Sequence, residues 1–588
     1  GSGGGALSKS GAGVLTLSNT NTFTGGTTIS AGTLTLGHAT DTLSSTGTVS
    51  VSGGVLDLGA NSDSVGAVTM SSGSITGLTG VLTGSGYSFT NSGSVSAILA
   101  GTGTLVKSGA GTVTLSGVSS YSGVTTISGG VLSISSIANT NTNSAIGNRS
   151  STGSAGLVID GGTLQYIGTT AGSTNRHFTI GVNGATIDSS SVSSANTLTF
   201  SNNGNSASTA GGNRSLTLTG SNTGNNTLAD VLFDPIGGTL GLNKTGAGTW
   251  LLTNTASTYT GGVSLDGGIL LTDTSGINGA STTNGLAFGG GTLKANTSAG
   301  ISTSKAITAS STILLDTTNG AISLGGNIAS NANGVTLTGS NVLTLSGSNA
   351  YTGTTTLNGG TLLTDSSGIN GSSTTNGLVF GGGTLKANTA AGISTNKAIT
   401  ATSQIKLDTS NGAIALGGNI AANTYGLNLT GTNALTLGGS NAYSGSTAIG
   451  AGATLQISAA NNLGDSSSTN TISLGAGTLQ STSGTYSLGT NRAITLTGAG
   501  TLQSDAGTLT VDGNITNSTY LLAVAGAGNT TVSGIIGGGS GGLSKSGAGV
   551  LTLSNTNTYS GGTAISGGTL NANNASALGT GTVTLSGG

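Results

Sequence analysis

A unit of about thirty residues recurs six times along the chain, most clearly as LSKSGAGVLTLSNTNTFTGGTTISAGTLTLG from Leu7. It returns as LVKSGAGTVTLSGVSSYSGVTTISGGVLSI from Leu105 and LNKTGAGTWLLTNTASTYTGGVSLDGGILLT from Leu242, and again from Val335, Leu427 and Leu543. Each copy reads as a short alternating strand, a polar turn, an aromatic, glycine, a second strand, glycine and a third strand. A unit this short cannot bury an apolar face alone, so neighbours must stack to form a common core. The copies occupy about 7–36, 103–134, 240–272, 334–364, 426–457 and 543–572. A second repetition overlies them: residues 276–367 return as 368–459, with GINGASTTNGLAFGGGTLKANTSAGISTSKAIT becoming GINGSSTTNGLVFGGGTLKANTAAGISTNKAIT.

This duplication reports which way side chains point. STILLDTTNG pairs with SQIKLDTSNG, so Ile313 and Leu315 persist as Ile405 and Leu407 while Leu314 becomes Lys406. A lysine is rarely tolerated inside a core, which turns positions 314 and 406 outward and their neighbours inward. Ile322 and Leu324 match Ile414 and Leu416 around a Ser323/Ala415 exchange. The period is two, with one buried face.

Composition narrows the fold. Charged residues make up 5%, all fifteen acids are aspartate, Pro235 is the single proline, and there is no cysteine. Without Glu and with few Lys and Arg, long helices lack their usual formers and their i,i+4 pairs. Glycine, at 112 residues, invites a linker reading, yet 34% of the chain is hydrophobic and regularly placed, unlike a disordered segment. Strands of three to five residues separated by Gly, Asn and Ser predict an all-β chain: a right-handed parallel β-helix forming a single elongated rod. Roughly two dozen coils of about 20 to 25 residues would make it on the order of 100 to 130 Å long. Asn ladders between coils are expected. AANNLG near Ala459 and NNASALG near Asn573 each suit a single helical turn.

GAGVLTLSNTNTFTGGTTISAGTLTL resembles the passenger-associated transport repeat of bacterial autotransporters. Phe23, Tyr121, Tyr259, Tyr351, Tyr443 and Tyr559 occupy its aromatic position. The fourth and fifth copies, TGSNVLTLSGSNAYTG and TGTNALTLGGSNAYSG, lack the lysine and the GAG. The six copies cover about a third of the chain. The resemblance implies a β-helical passenger, exported across the bacterial outer membrane and either secreted or held at the cell surface. It also implies contact with the membrane only through a C-terminal β-barrel, whose strand pattern is absent from this segment. LSKSGAGVLTLSNTNT stands at Leu7–Thr22 and again, letter for letter, at Leu543–Thr558, an offset of 536. These are expected to be equivalent points in a longer tandem array, of which the chain, lacking a start methionine and a signal peptide, is a segment; the alternative is two unequal copies of the small motif that diverged little.

Several functions are disfavoured. A net charge of −2 with no basic patch argues against nucleic acid or anionic lipid. Apolar runs such as YLLAVAGAG from Tyr520 fall short of the roughly 20 residues of a membrane helix. His38 and His177 are far apart and read as structural. Asp160, Asp188, Asp230, Asp234 and Asp266 are scattered. Asp273/Asp365 and Asp316/Asp408 repeat at 92, which suits ladders or turn caps rather than one catalytic centre. No calcium nonapeptide series and no phosphate loop occur, so no catalytic, metal or cofactor-binding residue is expected. Threonine faces could order ice, but the spacing is irregular. The six aromatics are expected to pack rather than to stack on carbohydrate, and Lys9, Lys107, Lys244 and Lys545 to be solvated. The chain reads as a structural extracellular β-solenoid, not an enzyme: a stalk, fibre or cell-surface adhesin. Its expected partners are other copies of itself, end-to-end or laterally, and host or neighbouring-cell glycans or proteins. A secreted carbohydrate-active enzyme on a β-helix and a subunit of a self-assembling surface filament stand as alternatives.

Overall fold

The computed structural model describes residues 3–150, 156–208, 211–278, 282, 284–371, 373–374 and 376–587. Two compact units, Gly1–Thr297 and Ser298–Gly588, divide the chain. Both are parallel β-solenoids, with about 27 turns between them. Among the described residues no helix is long and apolar enough to cross a membrane.

In the first unit a strand pairs in parallel with one that begins about a coil later. Leu7–Lys9 aligns with Thr27–Ile29, and Leu105–Lys107 with Thr125–Ile127. Thr125 then pairs with Leu157, a coil lengthened by the loop between them. The register stacks like residues into a ladder: Ile29 on Val51, Met70, Phe89, Lys107, Ile127 and Ile159. Every member is buried.

The second unit repeats the arrangement with a more uniform bore. Ile322, Leu343, Leu362, Leu385, Leu407, Leu429, Ile449, Leu474 and Leu496 align coil upon coil. All are buried. Transfer of such side chains from water is worth about 1.5–3 kcal/mol each, which drives the stacking. Ile313 and Leu315 point into this core, and Leu314 and Lys406 face out, as the duplication predicts. Ala460–Leu463 forms a single 3-10 turn, whereas the stretch after Asn573 is a plain turn.

The coils pack closely enough to require glycine at particular places. Gly130 has φ +60°, and a Cβ there would lie 2.4 Å from the carbonyl oxygens of Gly109 and Gly111 in the coil before it. The turn of one coil therefore rests directly on the backbone of another.

Candidate functional site

The recurring polar side chains of the coil interior are the candidate site, because they join one coil to the next. Tyr121, Tyr259, Tyr351, Tyr443 and Tyr559 are fully buried, while Phe23 is half-buried. A hydroxyl inside a core needs a partner. The Tyr121, Tyr351, Tyr443 and Tyr559 hydroxyls each share a hydrogen bond with the threonine four residues on: Thr125 at 2.7 Å, Thr355 at 2.7 Å, Thr447 at 2.9 Å and Thr563 at 2.8 Å. In the copy from Leu242 that position is Val263, and Tyr259 donates instead to the Gly276 carbonyl at 3.0 Å. Burial pushes these phenols up, to about 12 for Tyr351 and Tyr443.

Two residues before each aromatic stands a second bridge. The side-chain oxygens of Asn349, Asn441 and Asn557 accept the N–H groups of Ile328, Ile420 and Ile536 in the preceding coil, each at 2.8 Å. Their amide nitrogens donate to the carbonyls of Gly368, Asn462 and Ala577 in the following coil, each at 2.6 Å. One side chain thus ties three coils. Ser119 and Ser257 perform only the accepting half, from Leu99 N at 3.2 Å and Leu232 N at 3.1 Å.

The lysines depart from expectation. Lys9, Lys107, Lys244 and Lys545 are not solvated but buried, standing in the aliphatic ladder itself. Lys107 lies between Phe89 and Ile127, and Lys545 between Val524 and Ile565. The reason is the turn that follows, whose carbonyls converge on the bore. The Lys107 ammonium donates to the carbonyls of Ser108 at 2.7 Å, Gly109 at 2.9 Å and Gly129 at 3.0 Å. Lys244 does the same with Thr245 at 2.6 Å, Gly246 at 3.0 Å and Gly267 at 3.0 Å, and Lys545 with Ser546 at 2.7 Å, Gly547 at 2.8 Å and Gly567 at 3.2 Å. Lys9 bonds Gly11 and, at 3.1 Å, Ala31. Three donors meet three acceptors, so the charge enters the core with its hydrogen bonds satisfied. Burial pushes the Lys244 ammonium down to about 8, while the carbonyls act in the opposite sense by solvating the charge.

Other cations are buried too. Arg176 donates to Ile146 O at 2.9 Å and Gly147 O at 2.8 Å, and Arg492 to Leu488 O at 2.9 Å and to the Asn470 side chain at 3.1 Å. Arg214 reaches Ile180 O at 2.9 Å, Lys397 bonds the Asn376 side chain, and Lys305 is buried at the equivalent point of the 92-residue duplication. Nine of the thirteen Lys and Arg are therefore buried.

The aspartates mostly close turns. Asp316 and Asp408 accept the N–H groups of Thr318 and Ser410 at 2.8 Å, and Asp365 that of Gly368 at 2.8 Å. Asp273 accepts from Ser275 and Gly276, Asp160 from Asn183, and Asp234 from Leu240. Asp188 takes the Gln165 amide at 3.0 Å, and Asp266 the Ser264 hydroxyl at 2.7 Å. His38 is half-buried beside the Thr40 carbonyl. His177 pairs with Asp230 at 2.6 Å. No group of three or more His, Cys, Asp or Glu able to hold a metal occurs among the described residues. A polar cleft of about 340 Å³ is walled by Thr312, Asn333, Thr336, Thr352, Thr354 and Thr356 and has no titratable side chain in its lining.

The family described as Passenger-associated-transport-repeat matches residues 7–36, 105–134, 242–271, 335–363, 427–457 and 543–572. The chain carries six passenger-associated transport repeats. It is also similar to the Adhesin BmaC autotransporter of Brucella suis biovar 1 (strain 1330), 34% identical over 253 residues. Those residues are 42% of this chain and 7% of that adhesin, so the chain spans a small part of its relative's length. No solved structure matches the chain.

In the transport repeats the buried lysine had a legible signal. It always follows an inward leucine or its equivalent by two positions, in Leu7-Ser8-Lys9, Leu105-Val106-Lys107, Leu242-Asn243-Lys244 and Leu543-Ser544-Lys545. Strand parity alone places it inside. The fourth and fifth repeats carry Leu337 and Leu429 at that point.

Proposed function

We propose that this chain is a stalk segment of an extracellular adhesin, exported in the manner of an autotransporter passenger. The observation that carries this reading is the aliphatic ladder from Ile322 to Leu496, in which each coil adds one buried residue to the same column. Such a column can be lengthened without limit, since each new coil pairs its backbone with the last. The similarity to an adhesin supports a surface role. Cations folded inward leave few accessible sites for proteases that cut after Lys or Arg, a useful property outside the cell. The partners proposed are surface glycans or proteins of host or neighbouring cells.

The test is to fuse the chain to a membrane anchor on a non-adherent bacterium. Thin projections in electron micrographs, together with increased binding to host cells, are the expected result. Compact surface particles, or binding no greater than that of the anchor alone, would refute the stalk or the adhesin reading respectively. A second reading rests on the sixteen-residue identity at Leu7–Thr22 and Leu543–Thr558: the 536-residue offset is proposed as the period of a longer array. A native mass near a multiple of that period is expected.

A further inference from the structure

Two side-chain hydrogen bonds reach past the adjacent coil. His177 Nδ1 meets Asp230 Oδ1 at 2.6 Å across fifty-three positions, and the Asn254 side chain reaches the Asn203 carbonyl at 3.5 Å across fifty-one. The first crosses the coil of Ser201–Gly204, and the second starts in that coil and crosses the next, at Ala229. The register runs Thr174 to Phe200 to Leu228, which places Ser201–Gly204 between the histidine and the aspartate. That coil is recessed at Gly204, where a Cβ would lie 2.8 Å from His177 Nε2. The imidazole passes over a glycine to reach the coil beyond. Beside it lies a cleft of about 280 Å³ bordered by Asn203, Ala229, Thr253 and Asn254.

We infer that His177 and Asp230 form a clasp over the recessed coil, closed at neutral pH and released by acid without loss of the solenoid. The Asp230 carboxyl is fully buried, and its Oδ2 has no partner, so the imidazole is its one side-chain ligand. The other charged groups of the neighbouring coils are engaged elsewhere. Arg176 is turned onto Ile146 and Gly147, Arg149 contacts the Ser122 carbonyl, and Asp234 holds Leu240 N and Thr260. In the coil after, Tyr259 bonds Gly276.

The direction of the response follows from linkage. Burial pushes the Asp230 carboxyl up to about 6, even though the His177 bond pulls it down. With the clasp open, the carboxyl keeps its burial and loses the imidazole, so it holds a proton more strongly. The proton therefore favours the open form, and acidification shifts the population towards it. Against the unfolded chain the sign is opposite. An unfolded aspartate titrates near about 4, so between about 4 and 6 the folded state binds more protons, and this group does not weaken the fold in acid.

The chain contains two histidines, which makes the test direct. Imidazole-15N labelling of the full chain, with His38→Gln for assignment, isolates the His177 ring. Between about pH 7.5 and about pH 5 the ring should lose its fixed Nδ1 hydrogen bond, and exchange protection at Gly204 and Asn205 should fall about tenfold at constant melting temperature. Asp230→Asn should show the open pattern at both pH values, and His177→Gln should show no pH dependence. Equal protection at both pH values in the wild type, a pH response that survives in Asp230→Asn, or a melting temperature that falls together with protection would each overturn the clasp.

Discussion

The repeat that opens at Leu543 and the repeat around Leu429 use one inward slot in two ways. In the first, a lysine fills the slot, and its ammonium satisfies the carbonyls of Ser546 and Gly547 in its own coil and of Gly567 in the next. In the second, a leucine fills it, and the turn is satisfied from the coil before. The Thr409 hydroxyl donates to Thr430 O at 3.1 Å or Asn433 O at 2.7 Å, and the Asn433 amide donates back to Thr409 O at 2.7 Å. Thr317 and Asn341 repeat this around Leu337. The position that is threonine in the leucine repeats is Gly526 before Lys545 and Gly220 before Lys244. Both glycines have positive φ, +104° and +114°. In these two coils the inward lysine follows a glycine of positive φ, whereas Asn91 stands at that point before Lys107. The carbonyl that follows the slot, of Ser546 or Thr430, is paired in both, and the source of its donor changes.

Breaking that coupling should give the largest effect. Converting the lysine site to the leucine solution by Lys545→Leu with Gly526→Thr should fail, because a Cβ at 526 would lie 1.9 Å from Ser504 O. The double variant is expected to lose about 4 kcal/mol by urea denaturation, more than either parent change would suggest if the solutions were portable. Lys545→Leu alone keeps the apolar volume and strands the carbonyls, for a loss of about 1–3 kcal/mol seen as faster amide exchange in Leu543–Lys545 and its neighbours. Thr409→Val removes one shared hydroxyl while Asn433 remains, and should cost about 1 kcal/mol in the same assay.

The smallest expected effect separates the two kinds of repeat by pH. The buried Lys244 ammonium is pushed down to about 8, so between about 8 and 10 the unfolded chain binds more protons than the folded one, and stability rises with pH. Above about 10 the buried tyrosines act in the opposite direction, since their folded hydroxyls hold protons that the unfolded chain releases. The urea midpoint should therefore climb modestly from about pH 8 to about pH 9.5 and then fall, and Lys244→Leu should flatten the climb.

Much of the fold was legible because strand parity survives in the duplication. The Leu314/Lys406 exchange alone fixed which face of the strand is wet, and the Asp-Thr-Thr-Asn-Gly and Asp-Thr-Ser-Asn-Gly stretches read correctly as turns. The buried lysines were misread because a lysine is outside by default, and that prior outweighed the parity of Leu105-Val106-Lys107. What the prior omits is a turn whose carbonyls face inward and need a donor. The asparagine two residues before Tyr351, Tyr443 and Tyr559 was hidden for another reason: its two partners lie a coil away on either side, at separations of about twenty residues that vary from copy to copy. His177 was aligned to a recurring strand element, but Asp230, two coils on, has no spacing that would betray it. Asparagines do bond one another across coils, Asn202 to the Asn175 carbonyl at 2.9 Å and Asn441 to that of Asn462 at 2.6 Å, while a side-chain amide pair is built by Gln456 and Gln480 at 3.0 Å.

Amine acylation of the native chain, read residue by residue by mass spectrometry, tests most directly whether cations are part of the core. Lys107, Lys244, Lys397 and Lys545 should stay unmodified in the folded chain and react after denaturation, while Lys294, Lys386 and Lys406 react in both. Equal native reactivity at all seven would contradict the account.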